Sequence, residues 1–151
     1  MTGPVSSPTV PLRPHHVGVA VADIDRALPH YRSILGLKLL HGPYDDPIQR
    51  VRVCFLGTGD PADAVIELIA PIPTEASESA PIHLYLKKEL GAYHVCYETP
   101  DIERSVADMR AKGCLVVSAP VPAVAFDGRR IAWLYLPTRQ LIELVERPVQ
   151  D

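Results

Sequence analysis

Four residues of this chain carry metal-binding side chains in places where apolar residues would be expected: His16, Glu67, His94 and Glu143. The two histidines stand at the start of short apolar runs, His16-Val-Gly-Val-Ala-Val21 and Tyr93-His-Val-Cys-Tyr97. Glu67 interrupts Val65-Ile-Glu-Leu-Ile-Ala70, and Glu143 interrupts Leu141-Ile-Glu-Leu-Val145. A carboxylate in such a run is costly to bury unless something positive pairs with it. Two neutral imidazoles and two carboxylates suit one first-row divalent cation, which the two negative charges neutralise. Two coordination positions then remain for water or for a chelating substrate.

These four positions follow an internal repeat. His16-Val-Gly-Val-Ala-Val-Ala-Asp23-Ile-Asp-Arg-Ala-Leu28 aligns with His94-Val-Cys-Tyr-Glu-Thr-Pro-Asp101-Ile-Glu-Arg-Ser-Val106, and Val65-Ile-Glu-Leu68 aligns with Leu141-Ile-Glu-Leu144. Two matches in the same order, at nearly equal separation, point to a duplicated unit. Each unit offers one His and one Glu, so pairing the units about a pseudo-twofold axis would bring all four side chains to one point.

The elements that must position them can be read from periodicity. His16–Val21 and Tyr93–Tyr97 read as strands. Asp23 and Asp101 stand where an N-cap belongs, before helical patterns that end near Gly36 and Gly113. The first helix has a stripe of Ile24, Ala27, Leu28, Tyr31, Ile34 and Leu35, and the second has Ile102, Val106 and Met109. Pro29 predicts a kink, or a helix whose regular part begins late. Three strands are expected after each helix: Lys38–Leu40, Gln49–Leu56 and Ala64–Ala70, then Leu115–Ser118, Arg130–Leu136 and Leu141–Val145. Gly42-Pro43, Gly57-Thr-Gly59-Asp60-Pro61 and Asp127-Gly128 punctuate them. The result is an α+β fold of two tandem βαβββ modules, residues 13–72 and 92–148, forming a curved mixed sheet around the metal site. A disordered leader over 1–12 precedes them, and 73–91 joins them as a linker (Pro71–Ala80) and a short helix (Pro81–Leu90).

The remaining composition narrows the function. A net charge of −3 and a pI near 6.0 leave no basic field for nucleic acid. No run of about 18 apolar residues exists to span a membrane, and the Pro/Ser/Thr-rich start has no secretory pattern, so the cytoplasm is expected. Cys54, Cys96 and Cys114 match neither a disulfide framework nor a thiolate zinc pattern and read as buried reduced thiols. Simple strand alternation turns His15 to the face opposite His16. His30, His41 and His83 have no repeat partner and read as surface residues, as do the acidic Glu98 and Glu146.

With these residues in view, the chain resembles the vicinal oxygen chelate superfamily, which includes glyoxalase I, ring-cleaving dioxygenases and antibiotic-resistance proteins. Within it, the methylmalonyl-CoA epimerases are most similar. The likeness lies in His15-His-Val-Gly-Val-Ala-Val21, Gln49-Arg-Val-Arg-Val-Cys-Phe-Leu56, Glu67-Leu-Ile-Ala-Pro71, Gly91-Ala-Tyr-His94-Val, Arg130-Ile-Ala-Trp-Leu and Leu141-Ile-Glu143-Leu. The resemblance implies one divalent ion (Co, Mn, Ni, Zn or Fe) on His16, Glu67, His94 and Glu143. It also implies a homodimer and proton transfer next to the carbonyl of an acyl thioester. In such a reaction Glu143, Asp45 and Asp46 are the candidate acid–base groups, and Gln49, Arg130 and Arg139 the candidate substrate contacts. The chain departs from the epimerase pattern where Tyr44 stands in place of a Glu, and in the short Tyr135-Leu-Pro-Thr-Arg-Gln140 loop. Many epimerases have Gln where Glu67 stands. The alternatives are a glyoxalase-I-like lyase, an isomerase or cyclase acting on a carrier-bound acyl group, and a drug-sequestering protein of the same fold.

Overall fold

The computed structural model describes residues 10–72, 82 and 92–149. The first half runs β1 (Arg13–Ala20), α1 (Ile24–Ser33), β2 (Lys38–Asp46), β3 (Val51–Gly57) and β4 (Val65–Pro71). The second runs β5 (Ala92–Thr99), α2 (Ile102–Ala111), β6 (Leu115–Pro122), a turn of 3-10 helix (Val124–Phe126), β7 (Arg130–Tyr135) and β8 (Leu141–Glu146). The order βαβββ therefore occurs twice, as the repeat predicts.

All eight strands form one mixed sheet in the order β2-β3-β4-β1-β5-β8-β7-β6. Within each half the His strand runs parallel to the Glu strand, β1 beside β4 and β5 beside β8, and β1 meets β5 antiparallel at the centre. The order is symmetric about that central pair, so a pseudo-twofold axis passes between β1 and β5. The two halves thus pair within one chain.

Strand alternation sorts the side chains into two layers. On one face, Ile24, Ala27, Leu28 and Tyr31 of α1 pack on Cys54, Leu56, Leu68 and Ala70. Likewise, Ile102, Val106 and Met109 of α2 pack on Ala132, Leu134, Ile142 and Leu144. The opposite face is the concave one and gathers Val51, Val53, Phe55, Ile69, Phe126, Ile131, Trp133, Leu141 and Val145. The sheet curls as a half-barrel, with the 3-10 turn packed against β2. Each helix begins as its sequence dictates: Asp23 accepts from the Arg26 N–H and Asp101 from the Arg104 N–H, both at 3.1 Å.

Several expectations need correction. The helix α1 is regular from Ile24, so it does not begin late at Pro29. It ends at Ser33, which leaves Ile34 and Leu35 outside the buried stripe and exposed. Both edge strands are longer than expected. β2 continues through Gly42-Pro43 and β6 through Pro120, with register shifts in each. Proline is tolerated there because an edge strand leaves half its N–H groups without ladder partners. Gln49 lies in the β2–β3 turn and not in a strand. Of the expected leader, Val10 is buried and Leu12 packs on the α2 layer. The helix expected over Pro81–Leu90 and most of the linker lie outside the described residues, as does His83. Cys54, Cys96 and Cys114 are free, the first two buried and the third partly so. No helix among the described residues is long and apolar enough to cross a membrane.

Candidate metal centre

The register of the central strands explains how the four donors meet. Gly18 of β1 lies between Glu67 of β4 and His94 of β5, in one row across the sheet. Cys96 of β5 lies between His16 of β1 and Glu143 of β8 in the matching row. Each His–Glu pair therefore spans the two modules across a small residue. Gly18 and Cys96 are themselves repeat-equivalent, two positions after their histidines. The need for smallness is visible at Gly18, where a Cβ would fall 2.2 Å from Cε1 of His94. The His94 ring lies where that side chain would be.

The four side chains point into the concave face and their donor atoms lie within 4.8 Å of one another. Each residue is only 3–4% exposed. His16 Nε2 lies 3.1 Å from His94 Nε2, 3.1 Å from Glu143 Oε1 and 3.6 Å from Glu67 Oε2. His94 Nε2 lies 3.4 Å from both Glu143 Oε1 and Glu67 Oε1. A first-row ion with bonds of about 2.1 Å sets neighbouring donors about 3.0–3.4 Å apart, so the residues present fit such an ion. Glu143 Oε1 makes no well-formed hydrogen bond although it is buried. Two imidazole nitrogens and two carboxylates converge on one point, a set that lacks a positive charge of its own.

Electrostatics record the same deficit. Burial, together with the facing Glu143 and Asp46, pushes Glu67 up to about 8 against the opposing pull of His16. Burial also opposes ionisation of Glu143, but the close imidazoles of His16 and His94 hold it well below the usual carboxylate range. Without a cation, one carboxylate keeps its proton so that the other can ionise.

A largely apolar cavity of about 260 Å³ opens onto Glu67 and Glu143. Val51, Val53, Ile69, Phe126, Ile131 and Trp133 supply much of its wall. Among the residues expected to handle substrate, Asp46 and Gln49 line this cavity. Asp46 is buried, and its Oδ1 accepts from the N–H groups of Ile48 and Gln49 at 2.9 and 3.0 Å, which shapes the turn. Gln49 Oε1 accepts from Trp133 Nε1 at 3.2 Å.

Three other expected residues lie elsewhere. Asp45 faces outward and is held by the Arg52 guanidinium, which depresses its pKa. Arg130 pairs with Glu146 and Glu103 away from the cavity. Arg139 is exposed in the β7–β8 turn at φ 72°. The sequence reading missed Arg50 and Ser118, which also line the cavity. Arg50 has φ 58°, a conformation that nothing in its residue type announces. Three further assignments also change. Glu98 is buried between Arg13 and Arg147. Glu146 is half-buried on Arg130. His15 does not face away from His16 but touches it, with Nδ1 atoms 2.8 Å apart.

Two outcomes follow. Gly18→Ala displaces the His94 ring at a cost of about 1–3 kcal/mol, and isothermal titration will show Co²⁺ affinity reduced about tenfold or more. The second concerns pH. The folded-state pKa of Glu67 lies above its ordinary value of 4.5, so the folded metal-free chain holds a proton that the unfolded chain releases. The stability contributed by Glu67 in the metal-free protein therefore falls as pH rises from 4.5 towards about 8, by an amount on the order of a few kcal/mol. His15, whose pKa burial lowers to about 4, contributes the opposite slope up to its ordinary 6.5. Glu143, with its lowered pKa, contributes its own dependence only below its ordinary range. Urea denaturation across that window will show the wild type losing stability relative to Glu67→Gln as pH rises.

Comparison with known proteins agrees with the fold. The profile of the Glyoxalase/Bleomycin resistance protein/Dioxygenase superfamily matches residues 15–133. The ethylmalonyl-CoA/methylmalonyl-CoA epimerase of Cereibacter sphaeroides is 30% identical over 125 residues, covering 82% of this chain and 87% of that protein. The crystal structure of methylmalonyl-CoA epimerase from Mycobacterium tuberculosis superposes with a TM-score of 0.74 at 30% identity, covering 90% of this chain and 88% of that one. A lactoylglutathione lyase of Arabidopsis thaliana is also 30% identical, over 87% of this chain and 43% of the lyase. The duplicated βαβββ order, the half-barrel and these similarities together show that the chain belongs to the Glyoxalase/Bleomycin resistance protein/Dioxygenase (vicinal oxygen chelate) superfamily.

Proposed function

We propose that this chain is a metal-dependent epimerase or isomerase that moves a proton on the carbon next to the carbonyl of a small acyl thioester such as methylmalonyl-CoA. In this reading His16, Glu67, His94 and Glu143 hold one divalent ion of the Co, Mn, Ni, Zn or Fe class. The observation that carries it is the convergence of the four buried donors at the floor of an apolar cavity. The similarity to epimerases at about 30% identity supports the choice of reaction and substrate class.

When bound, the ion supplies Lewis-acid stabilisation of the negative charge that develops on the substrate oxygen as the proton leaves. The chain supplies the rest. Epimerisation needs one group to take a proton from one face of the planar intermediate and another to return it to the opposite face. Asp46 and Glu143 reach the cavity from different modules, from the end of β2 and from β8. Asp46 spends Oδ1 on the turn, which leaves Oδ2 to exchange a proton. Gln49 turns its carbonyl oxygen to Trp133 and so offers its amide N–H groups to a substrate carboxylate or carbonyl. Phe126, Trp133 and the valines exclude water from the reacting carbon, which strengthens each of these polar contacts.

A second reading, a lyase acting on a glutathione hemithioacetal, uses the same proton transfer. It is favoured by carboxylates in both modules and by the Arabidopsis relative. NMR of methylmalonyl-CoA in deuterated water separates the two. With Co²⁺ or Mn²⁺ restored, the α-proton signal is lost rapidly. Exchange is at background in the stripped protein and in His94→Ala, and is slowed about 100-fold or more in Asp46→Asn. Metal uptake with exchange at background would end the epimerase reading. Turnover of a hemithioacetal instead would establish the lyase.

A further inference from the structure

Residue His15 breaks the strand alternation. In the β1–β5 ladder Pro14 faces Tyr97 and His16 faces Cys96, so His15 is one residue more than its partner strand supplies. Such a bulge re-aims a side chain that would otherwise point away. The re-aimed ring lies edge-on to His16, with centroids 5.1 Å apart, and edge-on to Phe126 at 5.7 Å. Its Nδ1 lies 2.8 Å from Nδ1 of His16, a hydrogen-bond distance between two atoms of which only one can donate.

The direction of that bond follows from the other end of the His16 ring. His16 Nε2 faces His94, Glu143 and Glu67, so a metal can be held only by an unprotonated Nε2. The proton of a neutral His16 must then sit on Nδ1 and be donated to His15. The opposite direction would put the proton on Nε2 and aim it at the cation. We infer that His15 is a positioning residue, which accepts from His16 Nδ1–H and thereby fixes the ring orientation and tautomer in which His16 can ligate a metal. This rests on the metal-centre reading above and assigns His15 no contact with metal or substrate. The bulge is duplicated in the second module, where Gly18 faces His94 and Val19 faces Ala92, leaving residue 93 unmatched. That residue is Tyr and not His.

Partners of this kind typically contribute about 10–100-fold to metal affinity. The test compares wild type with His15→Phe, which keeps an aromatic edge against Phe126 but has no acceptor, and with His15→Asn, which restores an acceptor oxygen. Affinity is read by competition of Zn²⁺ and Co²⁺ with a chromophoric chelator. The His16 Nδ1–H is read in the Zn²⁺-loaded protein by long-range ¹H–¹⁵N correlation of the ring nitrogens. The expected result is a downfield, hydrogen-bonded His16 Nδ1–H in wild type that moves upfield in His15→Phe. Affinity falls about 10–100-fold in that variant and largely returns in His15→Asn. If His15→Phe does not fold, His15→Leu takes its place. Wild-type affinity with an unchanged His16 Nδ1–H resonance in the acceptor-free variant would overturn the inference and leave the metal centre standing. Failure of the wild type to take up either ion would overturn both.

Discussion

Two carboxylates and two imidazoles stand within a few ångströms of one another in an interior walled by apolar residues such as Val53, Phe55, Ile69 and Trp133. Among the described residues, no guanidinium or ammonium pairs with them. Such a cluster is unfavourable in a low dielectric unless it takes up protons or a cation. Glu67 shows the first route, with its pKa driven up beside a neighbouring carboxylate that stays ionised. A divalent ion is the second route, and it alone lets both carboxylates ionise and both imidazoles stay neutral. The smallness of Gly18 and Cys96, the central β1–β5 pair and the curl of the sheet all serve to bring these donors together.

The duplication follows from the same constraint. Each His–Glu row crosses from one module to the other, so a single βαβββ unit would have half a donor set and an open central edge. Pairing the units buries that edge and completes the set in one step. The helices cover the outer face, and the inner face is left for the cavity. Folding and site assembly are therefore coupled in this architecture, and apolar residues that stabilise the half-barrel also line the cavity.

Much of this was legible in the sequence because duplication leaves a signal that single residues do not. One His at the start of a strand says little, but two at equivalent places, each followed by a Glu in an equivalent apolar strand, specify a symmetric site. The alternation that sends Leu68 to α1 also sends Glu67 inward, so the ligand face could be read from the strand period. What could not be read depended on local backbone departures. The His15 bulge, the left-handed Arg50 and the Asp46 turn each re-aim a side chain by a conformational step with no compositional mark. Arg130, Arg139 and Asp45 failed for a different reason. Charged residues near a site in sequence can point to either side of a strand, and these three found partners or solvent outside. Glu98 erred the other way, buried by two arginines from distant segments.

The central claim is that one cation completes the four-residue cluster. Its most direct test is a crystal structure of the protein loaded with Co²⁺, with the ion located by anomalous scattering. The account predicts a single strong peak per chain, bonded to His16 Nε2, His94 Nε2 and one oxygen each of Glu67 and Glu143 at about 2.0–2.2 Å. A peak elsewhere, or an ordered chain with no peak between these residues at saturating Co²⁺, would contradict it.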